Sequence, residues 1–194
     1  MTTTTWTADP THTDIGFSTK HMMVTTVRGK FTAVEGTLQL DESNPEASSG
    51  SFVVKTASVN TGVEGRDAHL RAVDFFDSEA WPTITFVSTA VRAVRGNDYR
   101  VTGDLTIKGV TRPVTFDVEL LGLYEGFGGA RRVGFHATAT IDREAFGLTW
   151  NMPLQTGGWL VGKEIKLEID LAAELAAVST TGATSEGELV AVAA

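Results

Sequence analysis

The sequence contains no cysteine, which excludes disulfides, thiolate metal sites and cysteine nucleophiles. Positive charge is short: 16 Lys and Arg against 24 Asp and Glu leave a net charge of −8. That balance argues against nucleic-acid partners, whose phosphates need a basic patch. It argues equally against electrostatic attachment to an anionic membrane. No run approaches the roughly 18 uninterrupted apolar residues of a membrane-spanning helix. The opening MTTTTWTADPTHT lacks the basic and apolar regions of a secretory signal. A soluble, cytoplasmic protein without a membrane span is expected. Histidine is scarce too, and His12, His21, His69 and His136 show no metal-type spacing. No metal or cofactor is expected. There is no Gly-x-Ser-x-Gly elbow. Gly126-Phe127-Gly128-Gly129 joins two strand-like runs instead of opening a helix, and Val161-Gly162-Lys163-Glu164 lacks the other glycines of a phosphate loop.

What the chain has is alternation. Tyr99, Val101, Gly103, Leu105 and Ile107 alternate with Arg100, Thr102, Asp104, Thr106 and Lys108. A period of two sets these groups on opposite faces of a strand. A second run (Val114, Phe116, Val118, Leu120) follows Gly109 and Pro113, and a third (Val133, Phe135, Ala137, Ala139, Ile141) follows the glycine-rich break. Three such runs with short connections predict an antiparallel meander with one apolar face.

The other segments supply its partners. Trp6 to Asp14 carries Pro10 and predicts only a short or edge strand. Thr26 to Leu40 predicts one long strand whose apolar phase flips past Ala33, as at a β-bulge or a sharp barrel bend with Gly36 as a participant. DESNPEASSG, 41–50, is a loop by composition. Strands are predicted over 51–60 and 83–94, the latter with Ile84 and Phe86 on one side and Val87 and Val91 on the other. Between them lies the single helix signal, Arg66 to Phe76, with Leu70, Val73 and Phe76 on one face and Asp67 placed to cap its start. Arg143 to Asn151 is too aromatic for a simply solvated connection. The last run, Ile165, Leu167, Ile169 and Leu171, alternates with Glu164, Lys166, Glu168 and Asp170. The reading is an all-β fold: an eight-stranded antiparallel barrel with one short helix between strands, wide enough for side chains or one small ligand. Gly103, Ala137 and Ala139 on the inward sets mean either close contact or a cavity.

The densest polar group is Glu64, Arg66, Asp67, His69, Arg71 and Asp74 around the helix. It reads as a solvated helix face, or as a barrel rim where Arg66, His69 and Arg71 meet the polar end of an amphiphile, since guanidinium pairs well with anions. Lys20 and His21 could share that rim. His136 belongs to an outward set, and His12 sits in a polar turn that suits a structural hydrogen bond.

Several stretches together resemble the YceI-like family of lipocalin-type barrels, named for polyisoprenoid binding. They are Trp6-Thr7-Ala8-Asp9 with His12; Lys20-His21-Met22; Val27-Arg28-Gly29-Lys30-Phe31; Arg66-Asp67-Ala68-His69-Leu70-Arg71; Trp81-Pro82-Thr83-Ile84-Thr85-Phe86; Gly103 through Val114; and Asp142-Arg143 with Phe146-Gly147-Leu148. The resemblance covers residues 6–173 and leaves 1–5 as a flexible start and 174–194 as a low-complexity, disordered tail. It implies an eight-stranded lipocalin-like barrel holding a long isoprenoid or fatty-acid-type lipid, without catalysis. Thr13 stands where the family usually has Ser.

The function expected is binding, storage or transport of one such lipid. The expected apolar wall is Phe17, Phe31, Phe86, Leu105, Phe116, Phe135, Ile141 and Phe146, and the expected head-group site is Arg66, His69 and Arg71. A homodimer is compatible with the broad faces of long strands. Two alternatives stay open: a lipid-acting enzyme using Arg66, Asp67 and His69, or a filled-barrel interaction module.

Overall fold

The computed structural model describes residues 3–125, 129–155 and 157–176. Eight antiparallel strand positions close into a ring. In order around it run β1 (Thr3–Ala8), β4 (Val34–Asp41), β5 (Ser49–Lys55), β7 (Thr83–Arg95), β8 (Asp98–Ile107), β9 (Val110–Glu125), β10 (Arg131–Asp142) and β11 (Val161–Leu175). Pairing of Trp6 with Leu175 and Ala8 with Ala173 closes the circle. Three further strands, β2 (Asp14–His21), β3 (Thr25–Phe31) and β6 (Val59–Asn60), extend β1, β4 and β5 towards one end of the barrel. Closure leaves no open edge along the ring. The one α-helix among the described residues, α1 (Glu64–Arg71), follows β6 and covers that same end. It is called the helix end below, and the end bearing the β4–β5 connection is called the mouth.

The meander is built as the alternation dictates, with β8 and β9 paired from Asp98–Glu119 to Ile107–Val110. Their turn is Lys108-Gly109, both with positive φ (49° and 73°), the backbone of a tight hairpin. A side chain at Gly109 would also strike the Trp81 ring, 2.5 Å away. Pro113 falls inside β9, opposite Asp104. It is tolerated because pairing of β9 with β10 begins only at Asp117.

Several expectations are corrected. Of the two forms expected around Pro10, the strand is short and not an edge: β1 ends before the proline and is paired on both sides, with β4 and β11. It begins at Thr3, so the ladder reaches into the stretch expected to be frayed, as β11 reaches to Leu175 at the other terminus. The phase flip between 26 and 40 is a break at Thr32-Ala33 that separates β3 from β4, with no register shift at Gly36. Gly36 instead makes room for the Phe52 ring, which would lie 2.2 Å from a Cβ there. The helix ends at Arg71, five residues early, because Ala72 is extended. In consequence Val73 is 68% exposed and Phe75 takes the buried place. Asp67 lies inside the helix and is not its cap; its carboxylate accepts from the backbone N–H and hydroxyl of Thr61. On β7 a register shift between Ser88 and Ala90 brings Val91 to the inside, the same side as Ile84 and Phe86, while Val87 stays out. The glycine-rich break at 126–128 and the tail from 177 onward lie outside the described residues.

The interior divides into two packed groups. At the helix end, Phe31, Val54, Val59, Phe75, Ile84, Leu105, Ile107, Ile141, Phe146 and Leu148 form one cluster. Towards the mouth, Trp6, Leu38, Val133 and Ala173 form the other, and Trp6 is fully buried with its indole N–H donated to Thr4.

Candidate functional site

A cavity of about 520 Å³ runs through the barrel between these two groups. Its wall is the inward face of the alternating strands, so most of it is aliphatic or aromatic. Phe17, Phe31, Phe86, Leu105, Phe116, Phe135 and Ile141 all line it. The rings brace one another: Phe86 and Phe116 meet edge to face at 5.2 Å, and Phe17 and Phe31 are tilted at 5.5 Å. Phe146 is the exception among the expected wall residues. It sits on the short 3₁₀ turn Arg143–Phe146, 2% exposed, packed into the helix-end core and outside the lining. The small inward residues divide between the two meanings left open by the sequence. Gly103 is a close contact, since a Cβ would stand 2.4 Å from the Phe86 ring and 2.5 Å from the Val87 carbonyl oxygen. Ala137 borders the open volume.

The expected head-group residues lie elsewhere. Arg66 donates from Nε to the Thr61 hydroxyl at 2.7 Å and from Nη2 to the Thr61 carbonyl at 3.1 Å. His69 Nε2 lies 3.0 Å from Asp74 Oδ2, and its ring meets Phe75 and Trp150 edge to face. Arg71 donates to the Ala57 carbonyl. None of the three lines the cavity, whereas Leu70, Phe75 and Phe76 from the same segment do. The helix therefore presents its apolar side inward and uses its polar side to anchor itself. Lys20 donates to the Thr26 hydroxyl on the next strand. His12 and His136 face Asp9 and Asp170, each at 2.7 Å.

Polar groups reach the cavity at two places. At the mouth, Asp41, Glu42, Ser48, Ser49 and Ser88 join the lining. Asp41 is 3% exposed, yet its Oδ1 accepts from the backbone N–H and hydroxyl of Ser43 and from the N–H of Asn44. Those bonds, the Ser43 hydroxyl foremost, hold its carboxyl below the usual range. The segment that composition marks only as a loop is thus a folded rim.

At the helix end lies Arg143, 4% exposed and the single cationic side chain in the lining among the described residues. Its backbone is fixed by the 3₁₀ turn, which opens with the Asp142 carboxylate accepting from the Glu144 N–H and closes at Gly147 in the left-handed region. The guanidinium donates from Nε to the Gly162 carbonyl at 2.9 Å and from Nη1 to the Leu148 carbonyl. Among the described residues Nη2 has no hydrogen-bond partner; a Glu144 carboxylate oxygen lies 4.0 Å away. Another oxygen of Glu144 is already paired with Lys163 at 2.8 Å. Burial pushes the Arg143 pKa down, with Glu144 and Asp142 opposing. Reasoning from the sequence alone missed Arg143 as a cavity residue. The signal available was a charged residue opening an unusually aromatic connection.

A closed eight-stranded antiparallel barrel around one apolar cavity defines a lipocalin-like container. The model of the YceI-like domain matches residues 6–173, and the chain belongs to the YceI-like family. A UPF0312 protein of Staphylococcus aureus strain USA300 is 37% identical over 166 residues, which cover 85% of this chain and 94% of that protein. The crystal structure of Burkholderia cenocepacia BcnA superposes with a TM-score of 0.73 at 26% identity, over 85% of this chain and 98% of that one. A polyisoprenoid binding domain from Saccharophagus degradans, implicated in plant cell wall breakdown, shares the fold with a TM-score of 0.62 at 16% identity, over 88% and 98%. No helix among the described residues is long and apolar enough to cross a membrane.

Proposed function

We propose that the protein binds, stores or carries one long-chain amphiphile, of polyisoprenoid or fatty-acid type, inside the barrel. The observation that carries this reading is the cavity of about 520 Å³ walled by aromatic and aliphatic side chains. Its size falls within the roughly 300–1,000 Å³ of small-molecule sites. Burial supplies about 0.8 kcal/mol per methylene, so a long chain needs few polar contacts. The fold shared with the S. degradans polyisoprenoid binding domain is consistent with an isoprenoid chain.

Binding without catalysis is supported by the positions of Arg66, Asp67 and His69, which are engaged around α1 and do not line the cavity. The open volume favours a container over a filled-barrel interaction module. A cytoplasmic location and a homodimer belong to the same proposal; exposed Val87, Val94, Leu121 and Tyr124 on β7 and β9 favour the second.

The test is native mass spectrometry of the purified protein, followed by organic extraction and titration with isoprenoids and fatty acids. A bound species of defined mass is expected, and Phe135→Asp should abolish uptake by placing a charge on the wall. A Phe135→Asp protein that folds and still binds would place the ligand outside this cavity.

A further inference from the structure

The charges on the cavity wall are unevenly distributed. Asp41 and Glu42 are at the mouth, and Arg143 is at the helix end; no other Asp, Glu, Lys or Arg lines the cavity among the described residues. Arg143 also has an Nη2 whose donors meet no acceptor. A buried guanidinium with an unmatched donor is costly, because a removed or missing partner leaves its full desolvation penalty. An anionic oxygen beside Nη2 would remove that cost. The mouth carboxylates would repel the same anion.

Resting on the amphiphile-binding reading above, we propose that the ligand carries a small anionic head, a carboxylate or a phosphate, and lies head inward: the head at Arg143, the chain running along the Phe86 and Phe135 wall towards the mouth. Arg143 is then the head-group receptor in place of Arg66, His69 and Arg71. Its Nε and Nη1 bonds to Gly162 and Leu148 fix the guanidinium and leave Nη2 as its unmatched donor. Glu144 stands 4.0 Å from Nη2, beyond hydrogen-bond reach, and its other oxygen is held by Lys163.

The test compares ligands that differ only at the head: palmitate against palmityl alcohol, and geranylgeranyl phosphate against geranylgeraniol. The full-length protein should prefer the anion by about tenfold to a hundredfold, as expected for one charge-assisted hydrogen bond. Arg143→Met should remove that preference and leave the affinity for the alcohol unchanged. Which anion wins separates a fatty acid from an isoprenyl phosphate. If Arg143→Met does not fold, wild-type protein with carboxyl-labelled palmitate decides by NMR. A carboxylate beside Arg143 stays ionised below the ordinary carboxylate range, whereas one beside Asp41 and Glu42 titrates above it. Equal affinity for acid and alcohol, an equal loss of both in Arg143→Met, or a raised carboxyl titration overturns the head-inward inference and leaves the cavity reading standing. Failure of all four ligands to bind overturns both.

Discussion

The two ends of the barrel are built differently. The helix end is closed by side chains: Leu70, Phe75, Phe146 and Leu148, from α1, the 143–146 turn and the residues after each, pack onto Phe31, Ile84 and Ile107. The mouth end has a smaller packed group around Trp6 and a rim held by hydrogen bonds, chiefly those that fold the 41–49 segment around Asp41. A packed end holds its shape through many dispersion contacts and shows each missing atom as lost stability. A rim held by a few polar bonds has fewer such contacts to lose.

The largest test of that contrast removes an aromatic ring from each region. Phe146→Ala, in the packed floor, should cost about 3–5 kcal/mol in urea denaturation. Phe135→Ala should cost clearly less, since that ring already borders open space and fewer of its contacts can be lost. Equal losses would mean that the two regions are packed alike. A smaller effect is expected from Gly36→Ala. The three atoms nearest the new methyl group all belong to the Phe52 ring, a side chain that lines the cavity and would have to be displaced. Stability should fall by about 1 kcal/mol, at the low end for overpacking, while lipid uptake measured by fluorescent-probe displacement falls more sharply. A stability loss with undiminished uptake would show that the ring cannot enter the cavity.

The smallest effect concerns pH. The Asp41 carboxyl is held below its ordinary value of about 3.9 by Ser43 and Asn44. Its contribution is therefore present above that value and lost as pH falls through the depressed folded value. Asp41→Asn should lower stability slightly at neutral pH, by less than Gly36→Ala. The difference from wild type should shrink towards zero on acidification. A gap that widens in acid would reverse the assigned sign. Asp9, held low by Thr11 and His12 at the β1–β2 connection, adds acid sensitivity common to both proteins.

Much of the molecule could be read directly from alternation. The runs at 99–107 and 133–141 have their inward residues where a period of two puts them, and seven of the eight wall candidates do line the cavity. The misreadings share a physical cause. The reading of Val91 extends a local alternation that the bulge at 88–90 breaks, and Phe146, an aromatic residue of a connection without alternation, is turned into the core by a 3₁₀ turn. Arg66, His69 and Arg71 have the right chemistry for an anion, but their partners come from Thr61, Asp74 and Ala57, which no spacing rule connects to a rim.

Alternation along the chain is enough to make this protein an antiparallel barrel with an apolar interior, because strand periodicity is local and a one-residue error would turn every side chain to the wrong face. Its motifs suffice to indicate the family. That the interior is partly open, that the larger packed group lies at the helix end, and that Arg143 is a cation on the cavity wall are visible only in three dimensions. Those properties depend on which residues from distant strands meet, and on which donors find no acceptor when they do.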